Sequence, residues 1–228
     1  MTKNKLYMLT KAQERILREL QLKKGRRERG LFIIEGAKFV REAGPQVEFI
    51  FTPRDTNQFL EYVSTESPQS MAAVAKIPHF TLEQVMAFDT VVVLDGVQDP
   101  GNVGTVLRAC LGFKASIILV ECADVTNPKA VRASTSALLY VPWVEMKREE
   151  AEEALRSTGR KIYRLENRQH AVNLSSIGTG KIMLIAGNEG SGISLGLTGT
   201  SVKISHEAKL ESLNVAVAAS IVLQNIYR

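Results

Sequence analysis

Two cysteines, Cys110 and Cys122, and three histidines, His79, His170 and His206, are all the thiol and imidazole ligands that 228 residues provide. Their spacing fits neither a disulfide framework nor a zinc site, so no metal is expected. No apolar run approaches the roughly 20 residues that a membrane-spanning helix needs; the longest are of the order of Ile117–Val120 and the mixed stretch Val215–Leu223. The N-terminal segment has no apolar h-region, so a secretory leader is not expected and a reduced cytoplasmic setting is. What the chain does have is hydrophobic content of 45%, enough for a sizeable core in one large domain or two small ones.

Charge is modest overall, +5, but unevenly placed. Residues 1–30 carry ten Lys or Arg against three Glu, a balance of +7, so the rest of the chain sums to −2. Such a basic segment is the electrostatic footprint of a polyanion binder, with a merely solvated helix face as the alternative.

Hydrophobic periodicity predicts two α/β units. In the first, "LTKAQERILRELQLKKGRRERG" reads as a helix with a stop at Gly25, "LFIIEG", "VEFIFT" and "MAAVAKIP" as strands, and "AKFVREAG" as a short helix ended by Gly44. Thr81 with Gln84 three residues on is a capping box opening "TLEQVMAF". The boundary falls near there, dividing the chain into 1–85 and 86–228. In the second unit the strand candidates "TVVVLDG", "ASIILVEC", "KIYRLE", "KIMLIAGN" and "SVKIS" alternate with the helix candidates "NVGTVLRACLGF", "PKAVRASTSALLY", "REEAEEALRSTG" and "SLNVAVAASIVLQNIY". That alternation predicts a mostly parallel sheet, whose ligands bind beyond the carboxyl ends of its strands.

Three loops leave those ends with unusual chemistry: "DGVQDPGNVG", "AGNEGSGIS" and "SHEAKLESLN". The first leads into a helix bearing Arg108, about a turn and a half in, with Asn102 as a candidate N-cap. The second, Gly187 to Gly192, fits neither the dinucleotide pattern nor the P-loop. Physically it is a backbone free to approach a ligand closely, carrying one carboxylate, Glu189, or else a plain tight turn. In the third, Ser212 and Asn214 are candidate caps for the last helix as well as candidate site residues. His206 reads as a loop residue, and Tyr140 and Trp143 as packing.

Taken together and in order, "DPGNVGTVLRAC", "LIAGNEGSGIS" and "ESLNVAVAASIVL" resemble the three signature motifs of the SpoU family of RNA ribose 2′-O-methyltransferases, within the SPOUT superfamily. "NPKAVRASTSALLYVP" also resembles that family, and "GLFIIEGAKFVREA" with "SPQSMAAV" resembles its N-terminal RNA substrate-binding domain. The resemblance implies an α/β methyltransferase domain with a mostly parallel sheet and a deep trefoil knot formed from about Lys181 onward, behind a small α/β RNA-binding domain. It implies S-adenosylmethionine as cofactor, RNA as substrate with rRNA favoured over tRNA, and a homodimer. Residue by residue, Asn102, Arg108, Glu189, Ser212 and Asn214 stand at catalytic positions, and Gly187, Asn188, Gly190, Ile204 and Leu213 at cofactor positions.

Arg108 would then act on the target hydroxyl or grip the adjacent phosphate through its planar fork of donors; a neutral guanidine base is costly. Glu189 would fix Arg108 or a backbone N–H of its own loop. Three departures from the family pattern stand out: Ile204-Ser205-His206 after the last strand, Ala208 where a glycine is usual, and Ser136 likewise. The competing expectation is a non-catalytic RNA-binding protein that keeps the fold.

Overall fold

The computed structural model describes residues 8–63, 70–207 and 209–227. Ala208, the first lysines of the basic segment and part of "SPQSMAAV" lie outside the described residues. Among the described residues no helix is long and apolar enough to cross a membrane.

Thr10 accepts the Gln13 N–H and opens α1 (Lys11–Leu20) with a full capping box. The basic stretch then starts a second helix, α2 (Lys23–Arg29), rather than a loop. The stop expected at Gly25 is therefore misplaced. Gly25 sits inside α2 because a Cβ there would stand 2.1 Å from the Glu19 carbonyl oxygen, and the actual stop is Gly30 at φ 63°. Next come β1 (Leu31–Glu35), α3 (Ala37–Ala43), β2 (Val47–Phe51), α4 (Phe59–Tyr62) and β3 (Ala72–Lys76). The three strands form an antiparallel sheet in the order β1-β3-β2. One face packs Phe51, Ala72 and Val74 on Leu17, Leu20 and the α4 residues Phe59 and Tyr62.

The second unit opens with α5 (Leu82–Met86), capped by Thr81 as expected. Val85 is buried in that unit's core and its carbonyl accepts the Ser116 hydroxyl at 2.7 Å. Then follow β4 (Thr90–Asp95), α6 (Pro100–Gly112), β5 (Ala115–Val120), α7 (Pro128–Ser134), α8 (Ala137–Tyr140), β6 (Trp143–Met146), α9 (Arg148–Arg156), β7 (Lys161–Leu165), β8 (Val172–Asn173), β9 (Ile182–Gly187), β10 (Thr200–Lys203) and α10 (Val215–Ile226). The seven strands run parallel in the order β6-β5-β4-β9-β7-β10-β8. Alternate residues face opposite sides, as the two-residue period of a strand requires. Val92, Leu94, Ile117 and Leu184 meet α6, α7, α8 and α10, while Val91, Val93, Ile118 and Met183 meet α5 and α9.

The pattern of "PKAVRASTSALLY" predicts one helix; the structure breaks it at Thr135, which adopts φ 53° and separates α7 from α8. Helices α6 and α7 also approach closely. At Gly104 a Cβ would meet the Ala130 carbonyl oxygen at 2.3 Å, so only glycine admits this approach. The small residues of α10 serve the core: Ala216 and Ala219 are buried there, whereas Val217 is exposed.

The two units share packing. Phe32, Ile34 and Phe39 of the small sheet side join the same apolar cluster as Val131 and Leu138. A buried arginine adds a polar tie. Arg26 is 3% exposed and donates to Asp124 Oδ2 at 2.6 Å, to Thr126 Oγ1 at 3.2 Å and to the Leu20 and Gln21 carbonyls.

Candidate functional site

Asp95 ends β4 and Gly187 ends β9, paired side by side in the middle of the sheet. From β4 the chain proceeds outward on one side, through β5 and β6, while β9 is flanked on the other by β7 and β10. Such a reversal opens a crevice at the strand ends. The three loops singled out in the sequence all converge on this end.

The first is organised by Asp99, not Asn102. Asp99 is the N-cap of α6: its Oδ1 accepts the Gly101 and Asn102 N–H groups at 2.6 and 3.2 Å, with Pro100 in the first turn. The Lys129 ammonium at 2.8 Å, aided by those N–H groups, holds the Asp99 carboxyl below its usual range despite partial burial. Asn102 therefore lies in the first turn of the helix with its side chain released for other work. Its Nδ2 donates to Glu189 Oε1 at 2.5 Å, and its Oδ1 accepts from Asn214 Nδ2 at 2.9 Å. Asn214 in turn caps α10, its Oδ1 accepting from the Ala216 and Val217 N–H groups. One carboxylate and two amides thus stitch the three loops together.

Arg108 is elsewhere. At about 100° per residue, six residues rotate it roughly 120° away from Asn102 around α6, and it stands over two turns into the helix rather than one and a half. It is exposed and makes no hydrogen bond or ion pair with any described residue. The expected Glu189–Arg108 pairing is absent; Glu189 holds Asn102 instead. Arg108 faces a cleft of about 600 Å³ between the two units.

The second loop closes on itself. Asn188 and Gly192 exchange backbone hydrogen bonds, and Asn188 Oδ1 accepts from the Gly190 and Ser191 N–H groups. Asn188 Nδ2 reaches the Gly96 carbonyl at 2.9 Å, joining the loop to the end of β4. A Cβ on Gly187 would stand 2.3 Å from the Gly192 carbonyl, so the loop folds this tightly only over glycine.

A pocket of about 140 Å³ opens where β7 and β10 end, walled by Leu165, Val202, Ile204 and Leu213, with Ser212 and His206 at its rim. Ile204 and Leu213 both line it; Gly187, Asn188 and Gly190 belong to the neighbouring loop and do not. Ser212 is exposed and is not the cap of α10, a role Asn214 takes. The pocket's lining is mixed: Glu166, Asn167, Lys203 and Glu211 stand beside the apolar walls, so a ligand there meets both apolar surface and polar groups. At Glu166 burial alone would raise the carboxyl, but the Ser201 hydroxyl and the Arg164 and Arg168 guanidiniums outweigh that and hold it low. Side chains of the chain itself therefore already pair this carboxylate.

Two structuring groups lie outside the set that the sequence motifs point to. Asp95 is 1% exposed; its Oδ2 accepts the Ser194 and Leu195 N–H groups at 2.6 and 2.7 Å, and Oδ1 meets Arg148 at 2.5 Å. It fastens the segment following the glycine loop to the end of β4. The other is Asp99, for which a sequence signal does exist, because an Asp directly before Pro at a helix start is the usual N-cap arrangement. Among the described residues no His, Cys, Asp and Glu group has the makings of a metal site.

A parallel α/β sheet with three loops tied over its central strand ends, beside a pocket, is the arrangement in which open α/β folds bind their ligands. The chain belongs to the SpoU rRNA Methylase family, whose model matches residues 89–224. It is 29% identical to the 23S rRNA (guanosine(2553)-2'-O)-methyltransferase RlmP of Bacillus subtilis, across 92% of this chain and 93% of that one. It is 30% identical to the 23S rRNA (uridine(2479)-2'-O)-methyltransferase of Streptomyces viridochromogenes, across 72% of this chain and 61% of that one. Among solved structures, the AdoMet-bound rRNA methyltransferase from Sinorhizobium meliloti shares the fold at TM-score 0.84 and 24% identity, covering 95% and 94% of the two chains. The "putative RNA methyltransferase of the TrmH family" from Porphyromonas gingivalis aligns at TM-score 0.81 and 28% identity over 96% and 98%.

Proposed function

We propose that this chain transfers a methyl group from S-adenosylmethionine to a ribose 2′-hydroxyl of structured RNA, with rRNA favoured over tRNA. Residues 1–80 are the RNA-binding domain and residues 81–228 the catalytic domain; the expected boundary at 85/86 would cut α5, whose Val85 packs in the core of the second unit. The observation that carries the reading is the Glu189–Asn102–Asn214 chain, which joins the three motif loops of the family beside the slot at Ile204 and Leu213. The two curated relatives above, both named for 2′-O-methylation of 23S rRNA, support the choice of substrate. Insertion of β9 between β4 and β7, with α10 packed on α6 and β9, supports the trefoil knot expected from Lys181 onward. Exposed Leu210, Val217 and Tyr227 near the C-terminal helix support a homodimer.

The cofactor fits the residues present. Ile204, Leu213, Leu165 and Val202 would wall an adenine, and the loop of Gly187, Asn188 and Gly190, closed by its own Asn188–Gly192 backbone bonds, would flank the rest of the cofactor. When bound, S-adenosylmethionine supplies a methyl carbon on a sulfonium, already activated, so no Lewis acid is required. What the protein must add is alignment of the hydroxyl and management of its proton. Arg108 remains cationic at any physiological pH. Its guanidinium grips the phosphate beside the target ribose; the ribose oxygen takes the methyl group as the C–S bond breaks to release S-adenosylhomocysteine, and the hydroxyl proton passes to solvent water. Asn102 and Glu189 hold the loops in register, and Ser212 hydrogen-bonds near the ribose.

Calorimetry with S-adenosylmethionine, followed by mapping of 2′-O-methyl sites in the RNA of a deletion strain, tests this. The expected result is cofactor binding and one site missing from 23S rRNA. Absence of cofactor binding identifies a non-catalytic RNA-binding protein instead.

A further inference from the structure

The cleft facing Arg108 is walled by both units. The small domain contributes Gly36, Lys38 and Phe39 from the start of α3, and the catalytic domain contributes Arg108, Arg132 and Thr135. The mixture of charges is ordered by depth. Lys38, Arg108 and Arg132 are exposed, whereas the acids at the wall, Glu35 and Glu42, are half-buried. The Lys38 side chain is 81% exposed against 28% for Glu42, its loose ion-pair partner at 3.9 Å. A ligand entering the cleft therefore meets cationic groups first, over an apolar floor that includes Phe39 and Val131.

Backbone strain marks the same wall. Thr135 holds φ 53° and ψ −132°, a region unfavourable for a β-branched residue that persists where surrounding structure imposes it. The Thr135 hydroxyl donates to the Ser134 carbonyl at 2.6 Å, and the side chain is exposed at the cleft. Across from it Gly36 sits at φ 93°. Two turns in unusual conformation, one from each unit, thus face one another over a cleft whose volume lies in the range of small-ligand sites, about 300–1,000 Å³.

We propose that this interdomain cleft captures one nucleotide of the RNA substrate flanking the methylated residue, its phosphate held by Arg108, Arg132 and Lys38 and its base against Phe39 and Val131. The inference rests on the methyltransferase reading above, because Arg108 is its catalytic arginine. It assigns the small domain a direct part in setting which ribose reaches the cofactor, since Lys38 and Arg108 grip one strand from opposite units.

A thiol placed at the cleft tests it. Both native cysteines are poorly reactive: burial raises the Cys110 thiol and pushes Cys122 up to about 12. Thr135→Cys therefore gives one selectively labelled position, and removing the β-branch there relieves strain rather than adding it. With substrate RNA at about ten times its Kd, mass action predicts labelling by maleimide about tenfold slower, while S-adenosylmethionine leaves the rate unchanged. As a second variant, Lys38→Glu should raise the KM for RNA and flatten the log–log salt slope by about 0.7, the share of one single-strand phosphate. Unprotected labelling with an unchanged Lys38→Glu slope, in a protein that still methylates RNA, overturns the cleft assignment alone. Failure of the unaltered protein to methylate any RNA overturns the underlying function instead.

Discussion

Arg26 and Asp124 lie 98 residues apart in sequence and 2.6 Å apart in space, in a buried ion pair that joins the small domain to the loop after β5. The loop they clasp is not isolated. Ala123 donates its N–H to the Val97 carbonyl, and Asn127 caps α7, whose Lys129 pairs with Asp99 at the head of α6. The small domain is thereby coupled, through a few hydrogen bonds, to the helix that carries Asn102 and Arg108.

Breaking that pair by Arg26→Met should cost about 3 kcal/mol, because it strands a buried carboxylate. Thermal denaturation measures it. The pH dependence follows from Asp124. Burial favours its neutral form, but hydrogen bonds from Arg26 and from the Thr126 hydroxyl and N–H outweigh this and lower its pKa. A depressed carboxylate contributes stability that is full above the unfolded value, near about 3.9, and is lost as pH falls through the folded value. Without Arg26, burial raises the Asp124 pKa, so the Arg26→Met deficit should be full near neutral pH, begin to shrink as pH falls through that raised value, and shrink further below about 4 as the unaltered protein loses its own contribution.

The junction of the three loops is testable through Asn102. Asn102→Ala removes both the link to Glu189 and the link to Asn214, and should lower kcat/KM for RNA methylation by about tenfold or more, an effect of at least about 1.4 kcal/mol. Asn214→Ala removes the α10 cap as well and should also lower stability by about 1 kcal/mol, or about 2–4 °C in Tm. Steady-state kinetics beside a melting curve separates the two. Equal Tm decreases for both variants with unchanged kcat/KM would mean the link is structural only.

The basic segment divides into two populations. Arg26 is buried, Arg27 pairs with Glu145 of the catalytic domain at 2.8 Å, and Arg29 binds Glu19. Lys23 and Lys24 project from α2 into solvent, Lys24 held only by an exposed pair with Glu28 at 3.7 Å. Replacing Lys23 and Lys24 with Gln should weaken RNA binding and reduce the salt slope by up to about 0.7 for each phosphate no longer gripped, with Tm unchanged. Replacing Arg26 should do the reverse, lowering Tm first. Affinity measured across a salt series, with a melt for each protein, distinguishes them.

Much of the catalytic unit is legible in the sequence because its elements obey local rules. The β-branched strands around Val92 and Ile118, the Thr81 capping box and the glycine loop at Gly187 all stand where periodicity and turn chemistry place them. Differences arise where a tertiary approach overrides local preference. Gly25 marks close packing rather than a helix end, and Thr135 breaks α7 from α8 although nothing in its residue type signals a turn. The short strand β6 has no sequence signature, because its four edge residues, none of them fully buried, carry no clear period. At the site, the turn formers around Asn102 suggest an N-cap role for it; Asp99 takes that role, since the carboxylate precedes the proline. The charges of residues 23–29 can be counted in the sequence, but their division into internal ion pairs and solvent-facing lysines depends on partners as far away as Asp124 and Glu145.

The central claim is methyl transfer to a ribose hydroxyl, with Arg108 essential to it. It is tested most directly by incubating the protein with rRNA and isotope-labelled S-adenosylmethionine, digesting the RNA and identifying the labelled nucleoside by mass spectrometry, for the unaltered chain and for Arg108→Ala. The predicted result is a 2′-O-methyl nucleoside from the unaltered chain and none from Arg108→Ala, whose cofactor affinity stays within about threefold because Arg108 lies outside the cofactor slot. Label on a base, or undiminished ribose methylation by Arg108→Ala, would contradict the account.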